Sequence, residues 1–218
     1  MDVDFTLARP GPELGPEGYQ RLGREHGLDL DVDRYTDARR SAIADLERHP
    51  DLDHDEEVWV RFTECIVRGM GGEGPGVIEV ARGIVDRWEH AHHFELYDDA
   101  LPVLAELRAR GLKVGLVSNT SRDLDAFVRH FGIEVDAWIS SGTHGKVKPS
   151  PLIFAAALEM LGVEAEDAVM IGDSPEDDVE GARAVGMRAL LLDRAGLYPE
   201  FGERIESLPE LLPALGLD

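Results

Sequence analysis

Between residues 113 and 193 the chain alternates short apolar runs with amphipathic helical stretches, and this alternation narrows its possible folds more than any other feature. Residues 113–118, 168–172 and 188–193 read as strands, and 135–140 as a weaker one. The intervening helices have legible ends. Asp98 or Asp99 opens one that Gly111 closes, and Ser150, with Pro151 at the first helical position, opens another that Gly162 closes. Strand and helix in turn predict an α/β fold, a doubly wound parallel sheet with helices on both faces. Ligands on such sheets bind at the carboxyl ends of the strands. Residues 12–94 instead follow helical periodicity, broken by Asp- and Gly-rich loops, and predict an all-helical insert. The expected organisation is a core of residues 1–11 and 95–218 interrupted by that insert, which 218 residues can supply.

The charge balance bears on partners. The chain carries 44 acidic against 22 basic side chains, a formal net charge of −22. A field of that sign repels nucleic acid and anionic membranes, so neither is expected as a partner. Neither a signal peptide nor an apolar run long enough to span a bilayer is legible, and a cytoplasmic protein, monomer or homodimer, is expected. Cys65 is the sole cysteine and reads as a lone buried thiol. Lysine occurs only at positions 113, 146 and 148, so positive charge for an anionic ligand has to be assembled locally.

Four short segments at or just beyond predicted strand ends bring together acids, a hydroxyl and a lysine. In Asp2-Val3-Asp4, an extended backbone would point both carboxylates to one side. Leu116-Val117-Ser118-Asn119 ends a strand in a hydroxyl and an amide. Lys146-Val147-Lys148-Pro149 stands at the mouth of the Ser150 helix. Gly172-Asp173-Ser174-Pro175-Glu176-Asp177-Asp178 turns a strand into an acidic loop. In order and spacing, the four resemble the motifs of the haloacid dehalogenase (HAD) superfamily, specifically its phosphatases, over nearly the whole chain.

The resemblance implies a magnesium-dependent hydrolase of small phosphate monoesters acting through an aspartyl phosphate, on a Rossmann-like HAD core. Asp2 would be the nucleophile, and Asp4 the acid that protonates the leaving alcohol and then the base that activates water. Asp2, the main chain of Asp4, Asp173 and Asp178 would hold Mg2+, a hard ion that prefers oxygen ligands. Lys148, rather than Lys146, would be the fixed cation on the phosphoryl group, with Ser118 and the Asn119 backbone as donors. Dehalogenases of the superfamily lack the second acid of the first motif, so Asp4 favours phosphate ester chemistry. The insert falls where the subgroup called C1 carries its helical cap, which would close over a small phosphorylated metabolite. About 25 residues between Asn119 and Lys146 leave no room for another cap there. A phosphomutase of the same fold and a noncatalytic binding protein are the alternative functions.

Two departures accompany the resemblance. The nucleophile normally ends a central strand, but only Met1 precedes Asp2. A gap between the strands ending at Ser118 and Gly172 is therefore expected, with a terminal ammonium competing for Asp2, and the natural start is expected upstream. Phe5 stands where the family commonly has glycine. Other patterns read as ordinary structure. Residues 69–74 fit Gly-x-Gly-x-x-Gly but follow a helix rather than a strand, and read as a loop. Asp29, Asp31 and Asp33, like Asp51, Asp53 and Asp55, begin as calcium loops do but lack the later glycine and glutamate, so solvated turns are expected. His90, His92 and His93 are assigned to the cap-to-core connection.

Overall fold

The computed structural model describes residues 1–46 and 50–217, which divide into two compact units, Met1–Arg9 with the chain from Leu96 onward, and Pro10–Glu95. Strand β1 (Ala8–Pro10) leads into helices α1 (Pro16–Glu25), α2 (Tyr35–Ala44), α3 (Glu56–Gly69) and α4 (Gly76–Trp88), and β2 (Phe94–Leu96) leads out. The four helices bury one apolar stripe each around Tyr19, Leu22, Ile66, Met70, Val80 and Ile84. Asp31 and Asp55, expected as solvated turns, each accept a backbone N–H two residues on and so start helical segments. Cys65 is exposed, not buried. The inward face of α3 is set by Thr63, Ile66 and Val67, and helical periodicity turns residue 65 away from it.

The remaining chain alternates as the pattern requires: α5 (Ala100–Ala109), β3 (Gly115–Ser118), α6 (Leu124–Phe131), β4 (Ala137–Ser140), α7 (Ser141–His144), α8 (Pro151–Leu161), β5 (Val169–Gly172), α9 (Gly181–Ala184), β6 (Arg188–Leu192) and β7 (Arg204–Ile205). All strand pairs among β3 to β7 are parallel. This is the doubly wound α/β arrangement, and its core sets Val117, Ile139 and Met170 against Ile153, Phe154 and Val179. Ser150 caps α8 by accepting the Leu152 N–H, with Pro151 at the first turn and Gly162 at the end. Asp99 precedes α5, but its carboxylate is taken by Arg194 and the Leu208 N–H instead of capping the helix.

The expected gap beside β3 and β5 is partly filled. Met1 and Asp2 lie between the two strands: the terminal amino group donates to Gly115 O at 2.7 Å, Val117 N–H to Met1 O at 2.9 Å, and Asp2 N–H to Ile171 O at 2.8 Å. The order is thus β4, β3, Met1 with Asp2, β5, β6, β7. Beneath Met1 a partly open pocket of about 370 Å³ is lined by Gly115, Val117, Phe154, Leu161, Val169 and Ile171 among others.

Candidate active site

The carboxyl ends of β3 and β5 and the residue after Met1 deliver the predicted groups to one place. Lys148 Nζ, 2% exposed, donates to Asp2 Oδ1 at 2.5 Å and to Asp178 Oδ1 at 2.6 Å. Asp2, Asp173 and Asp178 each offer a carboxylate oxygen within 4.8 Å of the others. Asp173 leaves β5 directly. Asp178 arrives five residues later on a π-helical segment, Pro175–Glu180, that Ser174 caps by accepting the Asp177 N–H. The Ser174 N–H donates to Asp178 Oδ2 at 3.1 Å, which fixes that carboxylate against the Gly172 main chain.

Asn119, whose backbone is the expected phosphoryl donor, uses its side chain to grip the lysine loop. Lys148 N–H donates to Asn119 Oδ1 at 2.7 Å, and Asn119 Nδ2 donates to Lys148 O at 3.0 Å. These two hydrogen bonds hold the Lys148 main chain, and with it the ammonium, where β3 ends. Ser118, at the tip of β3, is buried and its Oγ has no hydrogen-bond partner among the described residues. A buried hydroxyl of this kind costs free energy unless a ligand supplies a partner.

Burial and crowding set the electrostatics. Burial, then the charges of Asp178, Asp173 and Asp4, pushes the Asp2 carboxyl well above the usual range, although Lys148 opposes the shift. Burial and Asp178 raise Asp173 to about 7. Burial favours loss of the Lys148 proton, but Asp178 and Asp2 more than offset it and hold the ammonium charged. One ammonium cannot balance three carboxylates in a dry site, so the cluster retains a proton or takes up a cation. Three hard oxygen donors suit a magnesium ion. Burial and the neighbouring Lys148 lower the Met1 amino group to about 6. That group bonds Gly115 O, not Asp2, so the expected competition for the carboxylate does not arise through a direct contact.

Asp4 sits in a tight loop closed by Phe5 N–H to Ala8 O and Leu7 N–H to Val3 O. Its side chain meets Arg122, whose Nη2 donates to Asp4 Oδ1 at 2.6 Å. The sequence reading missed Arg122, and also Arg194, which grips both Asp99 oxygens, donates to Thr6 O at 3.0 Å and lies 3.9 Å over the Tyr97 ring. A single sequence signals neither: arginine after a strand usually faces solvent. The histidines expected at the connection stack together in the helical unit, His92 and His93 with ring centroids 4.1 Å apart. Among the described residues no helix is long and apolar enough to cross a membrane.

Residues 15–186 match the family model of the haloacid dehalogenase-like hydrolases. The chain is 37% identical to a phosphoserine phosphatase of Thermus thermophilus, over 92% of its own length and 89% of the relative's. It is 30% identical to a glyceraldehyde 3-phosphate phosphatase of Methanopyrus kandleri, over 94% and 86%. Among solved structures, a HAD phosphatase from Thermococcus onnurineus has a TM-score of 0.64 at 29% identity, over 100% of this chain and 96% of that one.

Proposed function

The chain belongs to the haloacid dehalogenase-like hydrolases as an enzyme of the phosphatase kind, and from that premise we propose that it hydrolyses a small phosphate monoester through an aspartyl phosphate on Asp2. The observation that carries this reading is the convergence of Asp2, Asp173 and Asp178 on Lys148 at the strand ends. A carboxylate can approach a phosphoryl group only where cationic charge screens both.

In the first step, Asp2 Oδ attacks phosphorus, the bond to the ester oxygen breaks, and Asp4 gives that oxygen its proton. In the second, Asp4 takes a proton from water, whose oxygen attacks phosphorus, and inorganic phosphate leaves with the Asp2 carboxylate restored. Lys148 lies between Asp2 and Asp178 and supports the phosphoryl oxygens as they gather charge. The unpartnered Ser118 Oγ supplies a further donor. Magnesium held by Asp2, Asp173, Asp178 and the Asp4 main chain would neutralise charge on the phosphoryl group. The helical unit, in the position of a cap, is the part that we assign to leaving-group selection. Phosphorylated metabolites of the size of phosphoserine or glyceraldehyde 3-phosphate, the compounds named for two relatives, are the first substrates to try.

The test is phosphate release from p-nitrophenyl phosphate and a panel of phosphorylated metabolites, with magnesium and with chelator. Asp2→Asn is expected to lower turnover by about three orders of magnitude or more, as loss of a nucleophile does. Undiminished turnover in Asp2→Asn, or in the presence of chelator, would sink the proposal.

A further inference from the structure

We propose that Arg122 is the positioning residue for Asp4: it fixes the carboxyl that serves as general acid, and does so without touching the substrate. The inference rests on the phosphatase reading above. Arg122 is 1% exposed and Asp4 16%, so the carboxyl faces the site while the guanidinium stands behind it. The bond from Nη2 engages Oδ1 alone at 2.6 Å, which leaves Oδ2 for the proton that passes to the leaving oxygen. A side chain reaching from a loose loop could not aim a carboxyl, but this loop is braced. Thr120 O accepts both the Gly142 N–H and Ser141 Oγ, and Thr120 Oγ1 accepts the Arg122 N–H at 3.1 Å. Asp123 then caps α6 through the N–H groups of Asp125 and Ala126. The guanidinium itself lies 4.7 Å over the ring of Phe127, a fully buried residue of that helix.

The arrangement explains why the acid of the first motif needs support that the nucleophile does not. Asp2 is locked by Lys148 and by its place between β3 and β5. Asp4 lies past the end of that segment, where the chain turns, and only Arg122 holds its side chain by an ion pair among the described residues. Proton transfer is sensitive to placement, because donor and acceptor must stand within hydrogen-bond reach.

The experiment compares kcat/KM for p-nitrophenyl phosphate, whose leaving group departs without a proton, with that for an alkyl ester such as glycerol phosphate. Arg122→Met is expected to cut the alkyl ester rate about 100-fold and the aryl ester rate by less than about fivefold, the pattern of a displaced general acid. Arg122→Lys should restore part of the alkyl rate. Asp4→Asn should show the same selectivity, and the double variant should be no slower than Asp4→Asn alone. Equal losses on both esters, or additive losses in the double variant, would overturn the inference, while the phosphatase reading would stand on the Asp2→Asn result. The same four proteins are to be melted, because the pair can be read without turnover. Melting shifts that fall short of additivity by about 3 °C or more are expected for a buried charge pair, and additive shifts would overturn the inference even if neither ester is hydrolysed.

Discussion

Phe5 occupies a left-handed backbone conformation, with φ of 60°, in the loop that follows Asp2. A bulky side chain there costs on the order of 1 kcal/mol in backbone strain. Phe5→Gly is therefore expected to shift melting by only a few degrees, because relief of strain offsets lost contacts and the larger entropy of glycine in the unfolded chain. Phe5→Val, which keeps more of the side chain but adds a β-branch at positive φ, should melt lower than Phe5→Gly. The reverse order would show that side-chain packing, not backbone strain, governs this position. Individual residues were unevenly legible. Asp2, Lys148, Asp173 and Asp178 announced themselves because their chemistry demands those side chains at strand ends, and the structure brings them together. Arg122 did not, since nothing local distinguishes a buried guanidinium from a solvated one; its burial depends on Phe127 and on the path of the chain around Asp4. Cys65 was misread because thiols are commonly buried, whereas the phase of α3 decides the matter.

The strand that ends at Gly172 shows how one element disciplines another. A Cβ at this position would come within 2.1 Å of Asp178 Oδ2 and 2.2 Å of its Cγ, so only glycine lets the acidic turn fold back onto β5. Asp178 cannot retreat, because Lys148 and the Ser174 N–H both hold it. Gly172→Ala should destabilise the protein by about 1–3 kcal/mol, as overpacking does. It should also lower turnover by about two orders of magnitude while weakening magnesium affinity in a titration. Retention of both would mean that Asp178 is dispensable. Elements were more legible than their joints. The ends of α8, the apolar runs of β3, β5 and β6 and the helical pattern between α1 and α4 follow from local rules of capping and periodicity. The seating of Met1 and Asp2 between β3 and β5 was not foreseen, since it depends on main-chain groups that carry no sequence signal.

For the molecule as a whole, the acid cluster ties folding to proton concentration and, on the proposed function, to metal as well. Asp173 titrates near 7 in the folded protein against an ordinary value of 3.8. Between those values the folded state binds a proton that the unfolded chain does not, so this group's contribution to stability falls as pH rises and is lowest above 7. Magnesium, bound as proposed above, would compete with that proton. Its stabilising effect should therefore be larger at pH 8 than at pH 6, by on the order of 1 kcal/mol or a few degrees in Tm. Melting curves with magnesium and with chelator at the two pH values measure this, and an equal effect at both would rule out proton competition at Asp173. Taking the difference at each pH cancels the general relief of repulsion that a chain of net charge −22 gains on acidification. The pocket of about 370 Å³ under Met1 is open to solvent and brings water to the middle of the sheet. Solvent that reaches the middle of a sheet in this way gives the main chain there a partner other than its neighbouring strand, so amide hydrogens exchange without the strands unfolding. The core unit should accordingly lose amide protection first along this seam, where three main-chain bonds tie Met1 and Asp2 to the strands on either side.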